Sequence, residues 1–364
     1  MVQMAYLLGI FTQLAFYKIS EMPLGPPPPP VSLIVCAHNE FENLSELLPL
    51  LHAQDYPVFE LIVVNDRSTD QTRKLTEQAE HRQVRFIHVE QTYDHVTPKK
   101  YALTTAIRQS KHQIILLTDA DCRPASPHWI AQMVAQLTPG KDIVLGFSPY
   151  YQMSGFLNRL IRFETFYGAV QYFSLALWGK PYMGVGRNLL YRKEIFLKNK
   201  GFYTHLRTMG GDDDLLMNEI ANSHNTNVCL HPDSFVYSIP KTNWTAWFRQ
   251  KKRHLSVSKH YKRSHKWRLA FLSGSHVLFW LFFGIAAVAS LSVLPQQPVY
   301  LTFILATFVF RLLVQWLVLG LANRKLGAIL GWYAIPFFDF VLFVYYLVMS
   351  VVVWRNRKKT IQWR

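Results

Sequence analysis

The chain has 364 residues, enough for one domain of about 200 residues and a second unit. Half of it is hydrophobic, with 25 Phe, and the formal net charge is +16. Three scattered cysteines, Cys36, Cys122 and Cys229, offer no metal-ligand spacing and exclude a disulfide framework.

In chain order, residues 1–18 open with the apolar run Met1 to Tyr17, short for a bilayer span and without a small-residue cleavage site, which reads as an uncleaved membrane anchor. Residues 19–30 include the proline-rich stretch Met22 to Pro30, an extended, stiff spacer. Val31 to Cys36 reads as a buried strand. Ala37-His-Asn-Glu40 turns out of it into the helical pattern Leu44, Leu47, Leu48 and Leu51. Phe59 to Val64 is a second strand ending in Asn65-Asp-Arg-Ser-Thr-Asp70, with a helix through Leu75. Val84 to Val89 is a third, and a helix near Lys100 to Ser110 leads into a fourth. Strand and helix alternating four times predict an α/β domain over 31–248 with a mostly parallel, doubly wound sheet.

The fourth strand, Ile114-Ile-Leu-Leu-Thr-Asp-Ala-Asp-Cys122, ends in two carboxylates one residue apart. In an open α/β sheet ligands bind beyond the carboxyl ends of the strands. Asp119 and Asp121, at i and i+2, point the same way there and can share a hard divalent cation that also grips phosphate oxygens. Further on, Phe156 to Trp178 reads as an amphipathic helix at the membrane surface, because Arg159, Arg162 and Glu164 interrupt it. Gly184 and Gly186 flank a turn before Asn188. Gly210-Gly-Asp-Asp-Asp-Leu-Leu216 sets three acids side by side. Their repulsion raises the proton affinity of at least one and suits a general base, while a helix N-terminus is equally served by them.

The positive charge is concentrated. Residues 249–268 carry Lys251, Lys252, Arg253, Lys259, Lys262, Arg263 and Lys266 with no acid among them, and they abut the apolar run 269–294. A polybasic segment beside a span marks the cytoplasmic face and favours anionic headgroups; with no nucleic-acid module beside it, nucleic acid is not the expected partner. The runs 269–294 and 300–322 are each long enough to cross a bilayer. The last run, 328–354, is read as a span or a re-entrant hairpin split at Pro336 and Asp339. The hairpin is preferred because it keeps the basic tail, 355–364, on the cytoplasmic side. Arg311, deep in its span, is expected to face protein.

Val31 to Glu40, Val63 to Asp70 and Thr118 to Asp121 resemble the nucleotide-sugar motifs of the inverting family 2 glycosyltransferases, which have the GT-A fold. The resemblance continues through Gly184-Val-Gly-Arg-Asn188, Gly210-Gly-Asp-Asp-Asp214 and Gln250-Lys-Lys-Arg-His254, in the right order. The membrane architecture is similar to that of the polytopic cellulose, hyaluronan and poly-N-acetylglucosamine synthases and ceramide glucosyltransferase. The resemblance implies a uridine nucleotide against Ala37, Asn39, Glu40 and Asp66, with capping as the other reading of Asn39 and Asp66. It implies Lys99 or Lys100 near the diphosphate, Lys100 foremost, Asp119 near the ribose and sugar, and Asp121 on Mg²⁺ or Mn²⁺. Gly186 and Asn188 would cradle the donor sugar, with a tight bend as the other reading of the glycine spacing. Asp213 would be the base with Asp212 beside it, an offset of one toward Asp214 remaining open. Gln250 and Arg253 would reach the diphosphate, and His254 stands where the family carries Trp in its acceptor platform.

The function expected is therefore transfer of a sugar from a nucleotide donor, UDP-linked by the resemblance, to a glycan or lipid-linked acceptor. It would occur at the cytoplasmic membrane in a multi-pass protein with its catalytic domain in the cytoplasm, with room for a partner subunit. The alternative is a catalytically silent scaffold that retains the fold.

Overall fold

The computed structural model describes residues 1–19, 27–79, 84–91, 93–293 and 299–355. Most of the proline-rich spacer (20–26) and of the basic tail (356–364) lies outside the described residues.

Helix α1 (Val2–Ala15) is followed by β1 (Val31–Ala37), α2 (Phe41–His52), β2 (Phe59–Asp66), α3 (Thr72–Ala79), β3 (Val84–Val89), α4 (Pro98–Gln109) and β4 (Ile114–Asp119). Then come β5 (Cys122–Pro124), α5 (Trp129–Ala135), β6 (Ile143–Leu145), α6 (Phe156–Leu177), a 3₁₀ turn at Gly186–Asn188 and β7 (Leu189–Arg192). The domain closes with α7 (Lys193–Lys198), α8 (Asp214–Ile220), β8 (Thr226–Val228), β9 (Val236–Ser238) and α9 (Trp244–Val257). The chain then runs through α10 (Arg263–Val293), α11 (Val299–Lys325) and α12 (Ile335–Arg355).

Seven strands form one sheet in the order β3-β2-β1-β4-β7-β6-β8, and β5 pairs with β9 in a separate ribbon. The four strands read from the sequence are mutually parallel, β7 runs antiparallel to β4 and β6, and β6 is parallel to β8. The sheet is buried on both faces, which is why its strands are nearly continuous in apolar residues rather than alternating. Leu33 and Val35 face α2 through Leu44 and Leu48, together with Trp129. Ile34, Ile62 and Leu117 face α4 through Ala102 and Ala106 and join the larger core that contains α6. Cys36 pairs with Asp119 across β1 and β4, so the first strand's exit loop and the acid pair share one edge.

Helix α6 is not an exposed amphipathic helix. Asn158, Ile161, Phe163, Phe166, Tyr167, Val170, Tyr172 and Phe173 are all buried, because domain, α1, α11 and α12 surround it. Its charges are used inside the protein: Arg162 donates to the Ile329 carbonyl and Glu164 pairs with Lys251.

Helices α10, α11 and α12 are long and apolar enough to cross a membrane. Helix α1 is not: it has too few residues to span and packs against α6, α10 and α11, with Leu7, Phe11 and Leu14 buried and the Tyr6 hydroxyl donating to the Arg268 carbonyl at 2.7 Å. The preferred hairpin within 328–354 is also corrected: α12 is one continuous helix. Pro336 sits in its first turn, where the missing N–H has no intrahelical partner to lose. Asp339 is fully buried and met by Arg311, Gln315 and Trp280, while His276 and Gln3 complete the shell around Arg311. Arg311 thus faces protein, as expected of a charge within that apolar run.

Candidate active site

The exit loops of β1 and β2 are stitched together before any ligand is considered. Asn39 adopts φ +57, and its Oδ1 accepts from the Thr69 N–H at 2.8 Å, while its own N–H donates to Ser68 Oγ at 2.9 Å. Asp70 accepts from the N–H groups of Phe41 (3.2 Å) and Thr72 (3.0 Å), so it secures the starts of both α2 and α3. Asn39, Glu40, Asn43 and Asp70 line a hollow of about 290 Å³ at the N-terminus of α2. Ala37 lies buried at the strand end, and Glu40 is held by Asn43 Nδ2 at 2.6 Å. Burial, and behind it the charges of Asp121 and Asp119, raise the Glu40 pKa. Asp66 is only 6% exposed and caps no helix; Arg67 folds back on it, Nε to Oδ1 at 2.7 Å.

The acid pair sits on a braced turn. Buried Arg123 donates to the carbonyls of Ala120 and Cys122 and reaches Glu46 Oε2 at 2.8 Å. Burial and then the adjacent Asp119 raise the Asp121 pKa, with Arg187 and Lys241 opposing.

Across the cleft, Asp213 caps α8. Its Oδ1 accepts from the Asp214 N–H at 2.8 Å and its Oδ2 from the Gly186 N–H at 2.7 Å. A side chain at 186 would place its Cβ 3.2 Å from that oxygen, which is why the second glycine of the turn is needed. Burial and then Asp212 raise the Asp213 pKa. Asp214 is raised further by burial and Asp213, although Tyr261 donates to it at 3.0 Å.

Lys99 joins the two acid clusters. Its ammonium lies 3.0 Å from Asp119 Oδ1 and 3.0 Å from Asp212 Oδ2. Desolvation in the cleft pulls its pKa down, but the charges of Asp119, Asp212 and Asp213 outweigh this and hold it well above the ordinary lysine value. Burial would raise Asp212, but Lys99 holds it low instead. The strand-end acids and the acid triplet, about ninety residues apart in sequence, therefore form a single polyanionic cleft at the carboxyl edge of the sheet.

Residues 32–199 match the family model described as Glycosyl transferase family 2. This segment is a family 2 glycosyltransferase domain. Glycosyltransferase AglE of Haloferax volcanii is 32% identical over 124 residues, 32% of this chain and 39% of the relative, so the chain spans about two fifths of that curated protein. The mannosyltransferase PcManGT from Pyrobaculum calidifontis, solved with GDP-Man and Mn²⁺, is 19% identical and has a TM-score of 0.56, covering 89% of this chain and 94% of its own; this likeness shows a shared GT-A fold. S. aureus TarS 1-349 in complex with UDP-GlcNAc is 18% identical with a TM-score of 0.44, covering 81% and 88%.

Within the glycosyltransferase domain two expected site residues are placed elsewhere. Lys100 is fully buried, and its ammonium is consumed by the carbonyls of His205 (2.6 Å) and Thr208 (2.7 Å); Lys99 occupies the cleft instead. Asn188 is fully buried as well: its Oδ1 accepts from Trp129 Nε1 at 3.0 Å and its Nδ2 donates to the carbonyls of Phe147 and Ser234. Its amide is used in the core under the turn.

Helix α9 closes the far wall. Gln250 Nε2 reaches the Tyr150 hydroxyl at 3.3 Å, and the Arg187 guanidinium stacks over the Tyr150 ring at 4.6 Å. The Arg253 stem approaches Gly210, next to the acid triplet. His254 is exposed on α9. Desolvation first, then the charges of Lys251, Arg253 and Arg187, lower its pKa below the ordinary value. Arg187 and Tyr150 were not singled out in the sequence. The only available signal was an arginine inside the Gly184 to Asn188 motif, next to a glycine whose N–H the site requires.

Proposed function

We propose that this protein is a membrane-bound inverting glycosyltransferase that moves a sugar from a nucleotide donor, UDP-linked on the sequence resemblance, to a glycan or lipid-linked acceptor. The observation that carries the reading is Lys99 bridging Asp119 and Asp212, which puts a strand-end acid pair and a helix-capping acid triplet at one cleft. The nucleobase would sit against Ala37, Asn39, Glu40 and Asp66, and the diphosphate near Lys99, with Gln250 and Arg253 on the opposite wall.

A divalent ion fits the acid pair by donor chemistry. Asp121 and Asp119 are hard oxygen donors crowded together, and Asp121 has a raised proton affinity that a cation would relieve. Among the described residues no three His, Cys, Asp or Glu side chains converge, so two carboxylates and the donor's phosphate oxygens would share the ion, with Asp121 as the principal protein ligand. The Mn²⁺ in the Pyrobaculum enzyme of like fold supports this expectation. When bound, Mg²⁺ or Mn²⁺ would neutralise charge on the departing diphosphate.

Asp213 is assigned as the base. Its carboxylate takes the acceptor hydroxyl proton while that oxygen bonds to the anomeric carbon. The bond from that carbon to the phosphate oxygen breaks on the opposite face, and its electron pair leaves with the diphosphate. The Gly186 and Asp214 N–H groups fix the carboxylate's direction, and Asp212 anchors Lys99. The domains are read as a catalytic unit over 31–248 and a membrane unit from 249 onward, with the catalytic face in the cytoplasm beside the basic segment.

The test is release of nucleoside diphosphate by full-length protein in lipid, across UDP- and GDP-sugars, with Mn²⁺, Mg²⁺ or chelator. One donor turning over only with metal supports the reading. Absence of any nucleotide binding would favour the silent scaffold.

A further inference from the structure

We infer that α12 lies along the bilayer surface as a platform beneath the catalytic domain, with lipid as its partner, and does not cross the membrane. The inference concerns topology and stands apart from the donor chemistry proposed above.

Its exposed side chains form one stripe. Phe337, Phe340, Val344, Leu347 and Val351 follow a 3,4,3,4 spacing and are 58%, 46%, 42%, 39% and 53% exposed. Ile335, Phe338, Leu342 and Met349 on the opposite side are buried. That inner side meets the catalytic domain at Phe338 and Tyr345. The Phe338 ring stacks on Phe163 of α6 at 4.9 Å, and Tyr345 meets Trp247 of α9 at 6.1 Å. These two residues lie about 10 Å apart along the helix axis. A helix descending away from the domain would have carried Tyr345 out of reach; this one stays in contact, and the Lys251–Glu164 ion pair ties its two supports together.

The crossing with α10 agrees. His276 touches both the Asp339 carbonyl at 3.1 Å and the Tyr346 ring at 5.8 Å, and Trp280, one turn on, meets Phe340 and Phe343 at 5.0 and 6.2 Å. One turn of α10 thus faces about 10 Å of α12, which requires a steep crossing. Helix α11 also meets this stretch of α10, with Phe279, Trp280 and Phe283 all around Phe308. The chain reaches α12 by running back along α11: Leu330 bonds with Asn323, and Trp332 stacks on Trp316 at 4.8 Å, an aromatic pair of the kind found at headgroup depth.

Two crossings and an in-plane helix return the chain to the side it started from. Arg355, Arg357, Lys358, Lys359 and Arg364 then lie on the same side as the basic segment 249–268, removing the charge conflict that a third crossing creates. Two crossing helices enclose no conduit, so under the proposed function the acceptor would be presented at the membrane surface.

The test places nitroxide labels on the lipid-facing stripe of full-length protein in liposomes, at Phe340→Cys and Val351→Cys in a background with Cys36, Cys122 and Cys229 replaced by Ser. A crossing helix separates these positions by about 16 Å in depth; an in-plane helix gives less than half of that. Independently, a cysteine appended after Arg364 is compared, by an impermeant maleimide, with Ser45→Cys on the catalytic domain and Tyr300→Cys at the start of α11. The tail should label with Ser45→Cys. Labelling with Tyr300→Cys, or the full depth difference, overturns the inference.

Discussion

Replacing Asp213 by Asn separates chemistry from architecture, because Asn is as good a helix cap as Asp. Its amide oxygen can keep the 2.8 Å bond from the Asp214 N–H, but the amide NH₂ then faces the Gly186 N–H, donor against donor, and the 2.7 Å bond is lost. One unsatisfied buried donor costs about 1–3 kcal/mol, which lowers Tm by about 2–4 °C for each kcal/mol in a domain of this size. Loss of a general base costs about 100- to 10,000-fold in turnover. Diphosphate release at saturating donor should therefore collapse in a protein that remains folded and still binds nucleotide by calorimetry. Gly186→Ala provides the control. It leaves the carboxylate in place but presses a Cβ to 3.2 Å from Oδ2, so it should give an intermediate loss. Near wild-type turnover in Asp213→Asn, together with an inactive Asp212→Asn, would refute the assignment and move the base by one residue.

Lys99→Met should raise the donor KM with little change in Tm, whereas Lys100→Met, which strands two carbonyls, should lower Tm; donor titration and thermal unfolding of both variants check the division. The raised Asp213 pKa shifts the acid limb upward: the base must be ionised, so kcat/KM should fall as pH drops through a value above that of an ordinary aspartate, and a limb at or below the ordinary value would contradict this. Asp121→Asn should weaken nucleotide binding in metal and leave the metal-free affinity unchanged, and chelator should make wild type match the variant. In the membrane unit, Arg311→Leu or Asp339→Leu alone should each cost about 3–5 kcal/mol by stranding a buried charge, while the double substitution recovers most of it; retained detergent stability of either single variant would argue against the pair as a structural lock.

The parallel half of the sheet was legible because each strand is a short apolar run followed by a helical pattern, and the carboxyl-edge acids follow from that topology. The mixed half, β6 to β8, was not, since three or four residues give no period. The lysines show the limit most clearly. Both open the same helix, and the loop that claims Lys100 lies 105 residues away, where no local pattern reaches. Asn188 failed for the same reason: Trp129, 59 residues earlier, takes its amide oxygen. The hairpin reading treated Pro336 and Asp339 as breaks. A proline in a first turn breaks nothing, and the arginine that neutralises Asp339 sits on another helix.

The membrane part of this chain is mechanically continuous with the acid triplet. Tyr261, between α9 and α10, donates to Asp214, and the adjacent Lys262 N–H donates to Asn218 on the same helix at 2.8 Å. Val257 packs against Gly211, whose Cβ position would lie 3.0 Å from it, and Arg253 packs on Gly210, so the glycines that begin the motif are there partly to let α9 approach. Both glycines have positive φ, at +77 and +73, so the loop is also held in a conformation that side chains resist. Helix α9 in turn rests on α12 through Trp247 and on α6 through Lys251. The position of Asp213 is therefore set from two directions, by the Gly186 turn at the sheet edge and by the stack of α9 on α6 and α12.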